Sequence, residues 1–194
     1  MTRDELDRVL ELHRQWLAGE GPHRAYLRYA GLSRADLRGA DLRGAYLPGA
    51  DLSLAKLSGA NLTDAYLRRA DLRGANLRGA HLLGADLGGA NLVYASVSSS
   101  DLRGADLRGA YLLGAYLNHA DLTGADLRGA YLIGAYFRGS NLRGVRTNWF
   151  TRMNARAAFD LTDGKRAQLG IQPPRAENAR RGRSATQLAR RLAR

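Results

Sequence analysis

The chain has 194 residues, a formal net charge of +12 and no cysteine. That length allows one or two domains, and the lack of thiols excludes a disulfide framework, a thiolate zinc site, a thiol nucleophile and an iron–sulfur cluster. Four histidines (His13, His23, His81 and His119) leave little for a metal centre, and no apolar run approaches the length that spans a membrane. Met1 is followed by charged residues, so no signal peptide is expected.

Residues 2–18 read as an amphipathic helix. Thr2 and Glu5 have the spacing of a capping box, and Gly19 is a natural stop. Leu6, Val9, Leu10, His13, Trp16 and Leu17 fall on one face.

From Ala25 a five-residue unit repeats without interruption. Leu stands at 27, 32, 37 and every fifth position to 142, with Val97 and Phe137 the only departures among 24 places. Two residues before each Leu stands Ala, with Ser100 and Ser140 the exceptions. Asp, Asn or Tyr fills most of the places between them. A period of five would walk a Leu stripe about 140° around an α-helix at each step and bury nothing consistently. Small–polar–Leu is instead a strand alternation of in, out, in. The two following residues must turn a corner, and Gly holds the second corner place in 16 of 24 units. Tyr recurs at spacings of 20 (26, 46, 66; 111, 131; 116, 136), and so does Asp (86, 106, 126; 101, 121). Twenty residues per turn of a five-residue unit predicts a four-sided coil.

The units Ala35-Asp36-Leu37-Arg38-Gly39 and Ala60-Asn61-Leu62-Thr63-Asp64 resemble the A(D/N)LXX repeat of the pentapeptide-repeat family. The resemblance covers about residues 25–146 and implies an all-β solenoid, a right-handed quadrilateral parallel β-helix. Six coils would stack to roughly 29 Å at about 4.8 Å per coil. The open ends of such a stack require caps. The expected organisation is an N-terminal helical cap (1–24), the β-helix (25–147), a C-terminal cap or helical segment (148–172) and a basic Arg-rich tail (173–194), helical or partly disordered. Leu6, Leu10, Trp16 and Leu17 are the capping residues expected at one end, and Trp149 and Phe150 at the other. Pro173-Pro174 marks the last boundary, and Ser184 with Gln187 is placed to open a short terminal helix.

The charge is uneven. Residues 1–25 carry −1, residues 26–142 carry +3 and residues 143–194 carry +10. Arg175, Arg180, Arg181, Arg183, Arg190, Arg191 and Arg194 are therefore candidate contacts to nucleic acid or another anionic surface. Arg also fills the first corner place in many units (Arg28, Arg38, Arg43, Arg103 and Arg108 among them), and Asp at the middle place can pair with many of them.

Catalytic chemistry finds no footing. The predicted interior is Ala and Leu. His81 falls between Asn61 and Asp101 in one ladder with Ser100 nearby, but no nucleophile elbow or oxyanion hole accompanies them. No catalytic, metal or cofactor residue is assigned, and neither a small-molecule substrate nor membrane insertion is expected. One side carries apolar residues where Arg, Ser, Thr or Gly is usual: Leu54, Val93, Leu113 and Ile133 at corners, with Tyr94, and Tyr111 and Tyr131 between corners. They form a candidate interaction patch, unless Met153, Phe159 and Leu161 fold back over it.

Three readings follow. The first is a non-enzymatic scaffold binding a protein partner or a second copy through its faces or ends. The chain would then be cytoplasmic, or virion-associated if phage-encoded; Leu12–Glu20 resembles openings of phage-type and bacterial members of the family. The second is a nucleic-acid or anionic-surface binder working through the tail. The third is a DNA gyrase modulator of the quinolone-resistance type, which the resemblance implies and the basic charge disfavours, because imitating DNA needs an acidic surface.

Overall fold

The computed structural model describes residues 1–155, 158 and 161–171, the side chains at 152 and 153 excepted. Calls on Met153, Phe159 and the Arg-rich stretch from Arg175 to Arg194, the Ser184 helix start included, lie outside the described residues.

Helix α1 (Arg3–Leu17) forms where the capping box sits. Glu5 N–H donates to Thr2 Oγ1 at 3.2 Å, and Thr2 N–H donates to the Glu5 carboxylate at 2.7 Å. The helix ends at Ala18, and Gly19 follows at φ +76°.

From Tyr26 onward the chain pairs with itself in one fixed register. Every bridge is parallel and joins a residue to the one 20 positions ahead, from Tyr26–Tyr46 through to Asp126–Arg146. Leu27 N–H donates to Tyr46 O at 2.7 Å, and Tyr46 N–H donates back to Ala25 O at 2.8 Å. Five-residue units in a 20-residue register give four sides per turn. We call the 20-residue blocks tiers 1 to 6, running from 25–44 to 125–144. Pairing is confined to the middle residue of each side, because each side is only three residues long before the chain turns.

All 24 second-corner residues have positive φ: 16 glycines and Tyr29, Arg34, Leu54, Asp64, Arg69, Tyr94, Ser99 and His119. A side chain at this corner leans along the stack toward the next tier. Tyr94 lies against Gly114, where an added Cβ would come within 2.5 Å of its ring. Gly104 has nothing within 4 Å of the same atom. Gly104→Ala should therefore cost only the left-handed backbone term, about 1–2 kcal/mol. Gly114→Ala should cost measurably more, because the Tyr94 ring must also move. Urea unfolding of the two variants side by side checks this, and equal losses would refute the contact.

Ala and Leu point inward, as the alternation requires, and nearly all of them are fully buried. The interior gap among Leu77, Leu82, Leu87 and the residues around Val97 is about 10 Å³ and lined only by leucines and that valine, which offer a water no hydrogen-bond partner. The two departures from Leu are each coupled to a departure from Ala three residues later. Ser100 Oγ donates to Val97 O and Ser140 Oγ to Phe137 O, both at 2.7 Å. The hydroxyls reinforce turn bonds whose N–H···O distances have lengthened to 3.4 and 3.2 Å, against 3.0 Å for Ala95 N to Leu92 O.

At the first end, Leu6 of α1 joins the buried core and Val9 and Leu10 pack partly buried against it. Trp16 touches Gly44, and Arg3 donates to Asp36 O at 3.3 Å, a carbonyl that no earlier tier can reach. At the other end two short helices follow, α2 (Trp149–Ala155) and α3 (Asp163–Gln168). Ala155, Ala158, Leu161, Leu169 and Ile171 are buried in the same core, and Lys165 Nζ donates to Phe137 O. Leu161 thus packs at the end of the stack. The expectation that Trp149 plugs the last coil is corrected here: it is 69% exposed, and the small and aliphatic side chains after it take that place. Its neighbour Phe150 is half-buried and stands edge-on to Tyr131, with ring centroids 4.9 Å apart.

Candidate functional site

The 20-residue register decides which of the predicted patch residues meet. Tyr111 and Tyr131 occupy one side on tiers 5 and 6 and stack at 4.8 Å with their planes 10° apart. Leu113 and Ile133 follow at the corner, and Val93 stands at the same corner one tier earlier. Tyr94 leans beside Leu113 over Gly114. Tyr94 is 65% exposed, Tyr111 and Ile133 are each 43% exposed, and Val93, Leu113 and Tyr131 are half-buried. These six form one continuous surface. Leu54 does not belong to it: Arg73 and Gly74 of tier 3 stand between it and Val93 and Tyr94, although it is itself 51% exposed.

The surface is wider than the predicted residues. Around the same corner Tyr116 and Tyr136 stack at 5.0 Å, 8° from parallel. Each tier then presents an aromatic, an aliphatic and an aromatic in turn: Tyr111, Leu113, Tyr116, and Tyr131, Ile133, Tyr136. The signal was in the sequence as YLLGAYL and YLIGAYF, 20 residues apart. Phe150 and Trp149 extend this surface past Tyr131, their rings perpendicular and 6.1 Å apart. No run of charged residues crosses it. Leu83, also exposed, stands alone at the diagonally opposite corner and is ordinary for a protein surface.

Elsewhere the outer surface is a lattice of paired charges. Arg38, Arg43, Arg73, Arg103, Arg108 and Arg128 each reach back two residues to the Asp of their own unit. Both Asp oxygens are used; Arg38, for example, donates at 2.8 and 2.6 Å. The Arg38 guanidinium holds the Asp36 carboxyl down at about 2. Asp41, Asp71, Asp101, Asp106 and Asp126 are lowered by their Arg partners in the same way. A second aromatic ladder, Tyr26, Tyr46 and Tyr66, runs along tiers 1 to 3, with Arg24 5.3 Å from the ring centres of both Tyr46 and Tyr66.

The nucleophile reading of Ser100 finds no geometry. Its hydroxyl is buried and bonded to Val97 O, while His81 lies outward in the ladder. Among the described residues no three His, Asp or Glu side chains gather as a metal site requires.

The family model for pentapeptide repeats matches eight copies, over residues 23–44, 35–74, 70–109 and 110–146. The chain belongs to the pentapeptide-repeat family. Among solved structures it resembles Rfr23, a pentapeptide-repeat protein from the cyanobacterium Cyanothece 51142, at 30% identity over 59% of this chain and 88% of that one, with a TM-score of 0.33. HetL from the cyanobacterium Nostoc sp. strain PCC 7120, involved in heterocyst differentiation regulation, matches at 30% identity over 70% and 91%, with a TM-score of 0.32. QnrB1, a plasmid-mediated fluoroquinolone resistance protein, matches at 20% identity over 78% and 94%, also at 0.32. No curated protein sequence matches the chain. Pentapeptide repeats account for the solenoid periodicity and the Leu and Ala interior. The corner surface on tiers 4 to 6 departs from the Arg, Ser, Thr or Gly that fill most other corners of this chain.

Proposed function

We propose that the protein is a non-catalytic scaffold: six right-handed, four-sided coils closed by residues 1–24 at one end and by α2, α3 and the described residues around them at the other, holding a protein partner on the corner surface of tiers 4 to 6. The observation that carries the reading is the exposed Tyr111, Tyr116 and Ile133, with half-buried Leu113, Tyr131 and Tyr136 beside them, on a body whose other corners are mostly Arg, Ser, Thr or Gly. Stacked tyrosines are a rigid contact surface with little side-chain entropy left to lose, and such aromatic-rich, charge-poor patches are what partner surfaces favour. Leu113→Asp combined with Ile133→Asp tests it. Both side chains point away from the interior, so the unfolding midpoint should change little. Affinity capture from a bacterial lysate after nuclease treatment should retain a protein on the parent chain and lose it on the double variant. Full retention by a folded double variant overturns the reading.

A second reading has its own support. Residues 143–194 carry +10 of the total +12, whereas many arginines of the repeat body are tied to Asp. On this reading the Arg-rich segment binds nucleic acid, affinity falls steeply with salt, and truncation at Pro173 abolishes it. The same pairing counts against imitation of DNA, since it leaves few carboxylates free to stand in for phosphates.

A further inference from the structure

His13 is the one polar side chain that α1 buries completely, at 0% exposure. Its Nδ1 accepts a hydrogen bond from Ala25 N–H at 2.9 Å. In later units that Ala N–H donates to the Leu carbonyl three residues back, as Ala30 does to Leu27 O at 3.1 Å. The first unit has Pro22 in that place, and the imidazole takes over the role of the absent corner. Because Nδ1 is the acceptor, the neutral ring carries its hydrogen on Nε2, which is buried without a hydrogen-bond partner. The ring also stacks on Trp16, with centroids 5.4 Å apart and planes 13° from parallel.

We propose that His13 is a proton-operated latch: protonation at Nδ1 releases α1 from the first tier of the solenoid. A hydrogen on Nδ1 would face the Ala25 N–H, donor against donor, and put a buried charge under the helix. The charged groups around the ring are Arg24 from the connecting segment and Asp41 and Arg43 from tier 1. Asp41 is no free counter-ion, since Arg43 donates to it at 2.9 and 2.7 Å. Burial, above all, holds the imidazole below its ordinary range; the Asp41 charge and the Arg43 backbone oppose it, and the Arg24 and Arg43 charges add to it. The docked pKa is therefore below the undocked one. The latch is fully engaged above the ordinary histidine range and weakens as pH falls through it. Below about pH 6.5 the undocked-to-docked ratio should rise by up to tenfold per pH unit. Glu5 and Glu11 of α1 do not share this window, because Glu5 is lowered by its bond from Thr2 and Glu11 is held at about 2 by Arg14.

Hydrogen exchange on the full chain between pH 7.5 and 5, corrected for intrinsic rates, is the test. Protection of residues 3–17 should fall by up to tenfold per unit below about pH 6.5 while that of residues 45–130 holds. His13→Gln keeps an acceptor for Ala25 N–H without a titrating ring and should flatten the dependence; His23→Gln should leave it intact. Flat protection in the parent chain overturns the latch, as does an unchanged pH dependence in His13→Gln. Where His13→Gln leaves α1 unprotected at every pH, the NMR titration of the His13 ring protons in the parent chain decides. A midpoint below the ordinary value supports the latch, and one at the ordinary value overturns it.

Discussion

Phe137→Ala should lower the unfolding free energy by about 3–5 kcal/mol, at the upper end for a single core truncation. The ring is 0% exposed and fills the place that Leu holds in most units. The cost of such a truncation depends on how far the surroundings can collapse into the space. Here the walls are backbone, held to the tier above by Leu117 N–H to Tyr136 O at 2.8 Å and Tyr136 N–H to Ala115 O at 2.9 Å. They cannot close inward without breaking that ladder. The end is held as well, because Phe137 O accepts both Ser140 Oγ and Lys165 Nζ. Ile133→Ala, four residues earlier and at an outward corner, should change stability by well under half as much. Urea unfolding of both variants checks the contrast. A solenoid tier contacts only its neighbours, so the Phe137→Ala loss should appear first as exchange in tier 6 and α3. A loss below about 1 kcal/mol would mean that tier 6 is not packed as described.

The repeat body was legible because its physics is periodic. Small–polar–Leu needs only strand alternation, and Tyr26, Tyr46 and Tyr66 at spacings of 20 already counted the four sides that the bridges display. The ends were less legible. Leu6 was found from helical spacing, but nothing periodic says that His13 bonds to Ala25, since that contact exists only once α1 lies on tier 1. Bulk alone points to Trp149 as the end plug, whereas the plug is made of Ala155, Ala158, Leu161, Leu169 and Ile171. Bulk says how much a residue can fill, not which way the chain turns to present it. The patch was half read: corner residues out of pattern identified Val93, Leu113 and Ile133, while Tyr116 and Tyr136 passed as ordinary ladder residues until the corner placed them beside Leu113 and Ile133. Ser100 and Ser140 looked like independent exceptions. Each is the partner of a non-Leu residue three places earlier, a coupling visible only through the hydroxyl-to-carbonyl bond.

The second large effect is expected at Asn154, where one side chain stands in for a missing tier. On tier 5, Leu112 N–H donates to Tyr131 O at 2.8 Å and Tyr131 N–H donates to Ala110 O at 2.9 Å. Tier 6 has no tier beyond it to offer the same peptide. Asn154 supplies it from α2: its Oδ1 accepts from Leu132 N–H at 2.6 Å and its Nδ2 donates to Ala130 O at 3.0 Å. Thr151 and Asn148 do the same one side earlier, where Gly129 N–H donates to Thr151 Oγ1 and Asn148 Oδ1 and Thr151 Oγ1 donates to Leu127 O. The carboxamide is the one neutral side-chain group with a donor and an acceptor arranged as in a peptide. Asn154→Leu should cost about 1–3 kcal/mol for each of the two backbone groups it orphans, since Ala130 and Leu132 are both buried. Asn154→Asp separates this account from simple loss of packing. At neutral pH the carboxylate still accepts from Leu132 but turns its second oxygen on Ala130 O, so it should be no better than Leu. Acidifying far enough to protonate that carboxyl restores a donor and should recover part of the loss relative to the parent chain at the same pH. An Asn154→Asp variant as stable as the parent at pH 7 would show that the amide is not the substitute for the seventh tier, and that the end of the stack is closed by burial alone.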